Sequence, residues 1–171
     1  DSINAYHELV GQGVFTEEAM MRYLRYKSRD NARTPFQWND EENAGFTTGT
    51  PWIMVNPNYK EINAREQMVR ADSVFNYYKK LIRLRRENEI IVYGSYDLLL
   101  PDDPELYVYT RTLGDEKLLV ICNFYGNTRE FELPEGWDPD RMERMIGNYE
   151  KRDIAGTMEL RPYEAVVFRK R

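Results

Sequence analysis

The spacing of apolar residues divides the chain into an α-helical first half and a β-rich second half. Up to Asn88, apolar residues mostly recur three or four positions apart, which is the period of a helix. Beyond Asn88 the period shortens to two, which is the period of a half-buried strand. The change predicts two parts, residues 1–89 and residues 90–171.

The first half contains four predicted helices. The first covers residues 3–10 and ends at the glycines 11 and 13, and the second is capped by Thr16 and runs to about Ser28. A short helix is predicted over residues 64–71. The fourth helix begins at Asp72 or Ser73, either of which is a suitable cap. One face of it carries Val74, Tyr78, Leu81, Ile82 and Arg85.

About seven short strands are predicted in the second half, and together they indicate a small antiparallel sandwich. Residues 113–116 read as the loop of a hairpin, and Cys122 reads as a core residue. The predicted strands are residues 91–95, 106–112, 117–124, 128–133, 144–146, 157–160 and 165–169.

The segment from Arg29 to Trp52 follows neither period. It holds Phe36, Trp38 and Phe46, and aromatics of this size predict a loop that packs onto another element. A guanidinium donates hydrogen bonds in fixed directions and an aromatic face covers C–H groups, so such a loop suits a neutral, hydroxyl-rich ligand. Residue types alone favour a different interpretation, in which the arginines form structural ion pairs.

Composition excludes several classes of function. The net charge is −5, and the acidic excess lies wholly after residue 89, so nothing there favours nucleic-acid binding. One cysteine and one histidine, His7, predict no disulfide, no metal site and no histidine-based triad. The single cysteine and the absence of glycosylation sequons favour a cytoplasmic protein. No apolar run is long enough to span a membrane.

The chain starts with Asp1, and its first ten residues read as the middle of a helix. This predicts a fragment whose N-terminal part is missing. Residues 1–89 are then expected to expose apolar faces that the missing part would cover.

Linked motifs give the chain a family resemblance. RDNARTPFQW (residues 29–38) is followed by NAGF, PW and VNPNYKEIN, and the chain closes with LRPYEAVVF. In these motifs it strongly resembles the α-glucosidase branch of the α-amylase superfamily, glycoside hydrolase family 13, and first of all the oligo-1,6-glucosidases of that branch. Trehalose-6-phosphate hydrolases and sucrose isomerases belong to the same branch. The resemblance covers essentially the whole chain.

The resemblance implies the fold of an α+β fragment. Residues 1–89 would be the last helical segment of a (β/α)₈ catalytic barrel, and residues 90–171 an antiparallel all-β C-terminal sandwich domain. The loop from Arg29 to Trp52 would follow the eighth barrel strand and reach the catalytic face.

The resemblance also implies the site. The family hydrolyses glycosides with retention, using an Asp nucleophile and a Glu acid/base that belong to motifs upstream of this segment. No catalytic residue is therefore expected here, and no cofactor. Arg33 would hold the 4-hydroxyl of a terminal glucose together with an upstream Asp, and Arg29 would border the acceptor side. Asp30, Asn31, Gln37 and Trp38 would support the loop.

The expected partners are a gluco-oligosaccharide substrate and the missing barrel portion of the same enzyme. An alternative is a non-catalytic β-sandwich module for carbohydrate binding or domain packing. The chain by itself is expected to be inactive.

Overall fold

The structure is a computed structural model that describes residues 2–27, 29, 32–152 and 155–170. It divides into two compact units, Asp1–Asn76 and Tyr77–Arg171. The predicted domain division at residues 89 and 90 stays a prediction.

The α-helices are α1 (Ser2–Gly11), α2 (Glu17–Lys27), α3 (Ala64–Val69), α4 (Val74–Glu87) and α5 (Glu89–Tyr93). The strands are β1 (Ser95–Leu98), β2 (Leu106–Leu113), β3 (Glu116–Asn123), β4 (Arg129–Glu132), β5 (Met142–Gly147), β6 (Thr157–Leu160) and β7 (Ala165–Lys170).

Local capping chemistry sets the start of the helices in the first unit. The hydroxyl of Thr16 accepts a hydrogen bond from the backbone N–H of Ala19 at 3.2 Å, so Thr16 caps α2 as predicted. The side chain of Asn63 caps α3 by accepting from the N–H of Glu66 at 3.0 Å. Of the two candidate caps for α4, Ser73 is the one used: its hydroxyl accepts from the N–H of Asn76 at 3.2 Å.

The first predicted strand is wrong. Residues 89–93 form the helix α5, and the strand β1 begins only at Ser95. The physical reason is tertiary packing: Ile90 is fully buried, and the carbonyls of Ile90 and Gly94 accept hydrogen bonds from the guanidinium of Arg111. A three-residue alternation is too short to exclude a helical turn that long-range contacts hold in place.

The strands of the second unit form the predicted antiparallel sandwich. One sheet has five strands in the order β1-β2-β3-β7-β5, and the other pairs β4 with β6, all antiparallel among the residues described. Leu113 pairs with Glu116, so the predicted hairpin loop is a two-residue turn. Gly114 in that turn has φ +57°, which a glycine adopts without strain.

The core of the sandwich lies between the two sheets. It consists of Leu106, Val108, Leu119, Ile121, Phe131, Met158, Leu160, Val166 and Phe168. The prediction that Cys122 is a core residue is wrong in its detail. Cys122 follows Ile121 in β3 and therefore points to the opposite face of the sheet, where it is half-buried. That burial raises the pKa of its thiol.

Buried hydrophobic side chains are scarce before residue 90. In the described part of this stretch they are Met20 and Ala44. On α4, Val74, Tyr78 and Ile82 are exposed by 74%, 63% and 54%. The predicted exposure of apolar faces is confirmed. No helix among the described residues is long and apolar enough to cross a membrane.

Candidate functional site

The two arginines singled out by the sequence lie at the start of an irregular loop. Arg29 and Arg33 are both exposed. The carbonyl of Arg29 accepts a hydrogen bond from the N–H of Ala32 at 3.1 Å. Asp30 and Asn31, the other residues of this motif with a predicted supporting role, fall outside the described residues.

The aromatics of the loop face outward. Phe36 and Trp38 contact each other, with ring centroids 4.6 Å apart and planes at 59°, yet each is more than half exposed, at 55% and 56%. Phe46 and Trp52 are exposed by 47% and 78%. Alternation in an extended segment turns Phe36 and Trp38 away from the buried Pro35, and the packing of these rings onto another element stays a prediction.

A strained turn follows the aromatic pair. Asn43, Ala44 and Gly45 have φ values of 51°, 58° and 66°, so three successive residues are left-handed. Asparagine and glycine tolerate this region, but alanine does so at a cost of about 1–2 kcal/mol. Two features offset that cost: Ala44 is fully buried, and its carbonyl accepts hydrogen bonds from the N–H groups of Trp38 and Asn39.

Asn43 closes the far side of the same turn. Its amide donates to the carbonyls of Thr47 and Gly49 at 3.3 and 3.1 Å. Left-handed non-glycine residues persist where the surrounding structure determines them, and they are frequent at functional sites. The hydrogen bonds of this turn therefore fix the backbone conformation of the loop.

Gln37 ties the loop to the segment of residues 58–64. Its side-chain amide donates to the Oδ1 atom of Asn58 at 3.0 Å and to the carbonyl of Ile62. The backbone carbonyl of Gln37 accepts a hydrogen bond from the N–H of Ala64 at 2.8 Å. The predicted supporting role of Gln37 is confirmed. Trp38 also supports the loop, through its backbone, because its carbonyl accepts from the N–H of Arg65 at 3.0 Å.

A second tie is ionic and lies at the surface. Arg65 forms an ion pair with Asp40, and the two side chains are 50% and 49% exposed. The ammonium of Lys60 donates to the carbonyl of Asp40 at 2.8 Å. Because exposed ion pairs contribute about 0–1 kcal/mol, this second tie adds little to the stability of the loop.

The chemistry available on this loop is that of hydrogen-bond donation beside apolar faces. Guanidinium forks and exposed rings can bind the hydroxyl groups and C–H faces of a sugar. In the described part of the chain, no group of three or more His, Cys, Asp or Glu side chains is arranged to hold a metal ion.

Sequence reasoning missed Asn58, Ile62 and Arg65 as partners of the loop. They lie 21 to 28 positions after Gln37, within the turn-rich VNPNYKEINAR run of residues 55–65. The signal was present in the type of residue, since Asn56 and Asn63 cap the 3₁₀ turn Pro57–Lys60 and α3. Pairing between this run and Gln37 depends on the fold and has no periodic signature.

Two family models match the chain. Residues 7–94 match the catalytic domain of alpha amylase, and residues 106–167 match the C-terminal domain of the alpha-amylase SusG. The chain belongs to the α-amylase family. Its first part is the end of that family's catalytic domain, and the β-sandwich is a C-terminal domain that follows it.

Relatives within the α-amylase family match nearly the whole chain. Oligo-1,6-glucosidase from Bacillus cereus is 52% identical over 99% of this chain. Trehalose-6-phosphate hydrolase from Bacillus subtilis is 45% identical over the same share. The chain spans 30% of the length of each of these relatives.

A solved structure supports the fold. The crystal structure of trehalose-6-phosphate hydrolase from Bacillus licheniformis has a TM-score of 0.86 and 47% identity. The match covers 98% of this chain and 31% of that one. The family resemblance inferred from the motifs, and the fold class with it, is confirmed.

Proposed function

We propose that the complete protein is an exo-acting, retaining α-glucosidase that removes terminal α-1,6-linked glucose from short gluco-oligosaccharides. This chain supplies the last part of its barrel and the C-terminal domain. The observation that carries the proposal is the 52% identity to oligo-1,6-glucosidases over 99% of the chain, which includes the arginine loop, residues 29–52. A cytoplasmic location is part of the same proposal.

Arg33 is the proposed substrate-binding residue of the loop, and Arg29 borders the acceptor side. Retaining hydrolysis needs one carboxylate to attack and a second to protonate the leaving oxygen. We place both in the part of the relatives' length that lies outside this chain. Arg33 then closes the far end of the pocket around the 4-hydroxyl of the terminal glucose, and a closed pocket limits cleavage to one sugar unit.

The proposal predicts a large effect of Arg33→Ala in the complete protein. The change should remove about 2–4 kcal/mol of transition-state stabilisation, because it leaves a buried carboxylate without its partner. This loss appears as a lower kcat/KM on isomaltose. Steady-state kinetics measure this. A variant with near wild-type kcat/KM would show that Arg33 does not line the pocket.

A second candidate is hydrolysis of trehalose-6-phosphate, favoured by relatives of that name at 45% and 47% identity. Sucrose isomerisation is a third, favoured by an isomaltulose synthase structure at 41% identity. Turnover of isomaltose, trehalose-6-phosphate and sucrose by the complete protein separates the three.

The 171-residue chain alone should not turn over an aryl α-glucoside. Activity of this chain would contradict the placement of the catalytic carboxylates. The non-catalytic alternative, a β-sandwich module for carbohydrate binding or domain packing, predicts that the gene upstream of Asp1 encodes no barrel with the catalytic carboxylates.

A further inference from the structure

Gln37 lies close enough to Arg33 to control its position. They are four positions apart in the sequence, so the two Cα atoms can be at most about 14 Å apart even in a fully extended chain. Pro35 stands between them, is buried, and has a fixed φ, which stiffens this short connection. The anchored residue 37 therefore lies within a short, partly stiffened connection to residue 33.

The restraint on Gln37 comes from three directions. Its amide nitrogen donates to the side chain of Asn58 and to the carbonyl of Ile62, and its carbonyl accepts from the N–H of Ala64. The receiving segment is itself fixed, because the buried Asn63 donates to the carbonyl of Tyr59 at 3.0 Å and caps α3. Gln37 is thus attached to a folded segment and not to a second loose loop.

The polarity of these contacts requires a hydrogen-bond donor at the end of side chain 37. Both groups that face its nitrogen are oxygen acceptors, so the side chain must donate twice from one atom. A leucine of similar length would leave both acceptors without this donor. The nearby ion pair of Asp40 with Arg65 does not replace the amide, because it holds the loop three residues further on.

We propose that Gln37 is a positioning residue for Arg33, and that its amide sets how well the pocket recognises the 4-hydroxyl of the terminal glucose. This rests on the proposed function of Arg33. Gln37 itself does not touch the sugar in this scheme. Its substitution should weaken recognition of that one hydroxyl more than it weakens folding.

The test uses the complete protein and two substrates, 4-nitrophenyl α-D-glucopyranoside and its 4-deoxy analogue. The readout is the ratio of their kcat/KM values, which a loss of folded protein does not change. Arg33→Ala should abolish most of the preference for the 4-hydroxyl. Gln37→Leu should lower the ratio by about tenfold, since displacement of a binding group by 1 Å costs up to about a hundredfold.

The matched control is Gln12→Leu, the same chemical change at an exposed position after α1. It should leave the ratio at the wild-type value. Should Gln37→Leu fail to fold, Asn58→Leu and Asn58→Asp test the same contact. Asn58→Leu removes the acceptor and should lower the ratio, whereas Asn58→Asp retains an acceptor and should preserve it.

The outcomes separate the two proposals. If Arg33→Ala leaves the ratio unchanged, the proposed role of Arg33 is wrong. If Arg33→Ala lowers the ratio but Gln37→Leu keeps it at the wild-type value, positioning by Gln37 is wrong. An equal ratio in Asn58→Leu and wild type overturns the positioning role in the same way.

Discussion

The arginine loop and the β-sandwich are each stabilised by a different kind of interaction. The sandwich buries nine hydrophobic side chains between two sheets. The loop from residue 32 to residue 52 buries only Pro35 and Ala44 and depends on backbone hydrogen bonds, left-handed residues and the amide of Gln37. An apolar core tolerates changes in detail, whereas a polar loop depends on each hydrogen bond having its partner.

The largest expected contrast is between two phenylalanines. Phe168 is buried in the sandwich, and Phe168→Ala should lower the free energy of opening of the second unit by about 3–5 kcal/mol. Phe36 is 55% exposed, and Phe36→Ala should cost about 1 kcal/mol or less. Native-state hydrogen exchange of β3 amides and loop amides in the 171-residue chain measures both. Equal costs would show that the loop has a hydrophobic core of its own.

The next contrast is between a buried and an exposed ion pair. Glu164 is 4% exposed and accepts hydrogen bonds from Arg161 and Arg152, so Glu164→Gln should cost about 3 kcal/mol. Asp40 in the loop belongs to an exposed pair, so Asp40→Asn should lower the free energy of unfolding by at most about 1 kcal/mol. Urea denaturation of the variants at neutral pH compares them. A larger loss for Asp40→Asn would mean that ionic contacts dominate in the loop.

The buried pair also predicts a dependence on pH. Burial raises the pKa of Glu164, but hydrogen bonds from Arg161 and the charge of Arg152 outweigh it, so the pKa lies below its ordinary value of 4.5. A lowered pKa stabilises the fold above pH 4.5 and stops doing so as pH falls through the folded-state value. The stability difference between wild type and Glu164→Gln should therefore shrink on acidification, and a constant difference would contradict the ion pair.

The smallest expected contrast is between two glycines with positive φ. An added Cβ at Gly45 would lie 2.6 Å from the Oδ1 atom of Asn39, whereas at Gly114 it would meet nothing within 4 Å. Gly45→Ala should cost about 2 kcal/mol and Gly114→Ala about 1 kcal/mol. Hydrogen exchange at Trp38 and at β3 reports each site. A cheaper change at Gly45 would mean that the turn relaxes easily.

Much of the fold was predictable because its determinants are local. The helix caps at Thr16 and Ser73 and the alternation of β2, β3 and β7 need only neighbouring residues. The helix α5 was not predictable in this way, because its carbonyls bind Arg111, which lies about 20 residues downstream. The outward position of Cys122 was not predictable either, because it depends on which face of the first sheet packs against the second sheet.

The candidate site divides along the same line. The family could be inferred from motifs such as RDNAR and VNPNYKEIN, and the same motifs pointed to Arg29 and Arg33. The contacts of Gln37 with Asn58 and Ile62, and the left-handed residues 43–45, are visible only in the folded chain. A motif shows which residue types a site contains. Contacts between distant segments form only when the chain folds and brings donors close to acceptors.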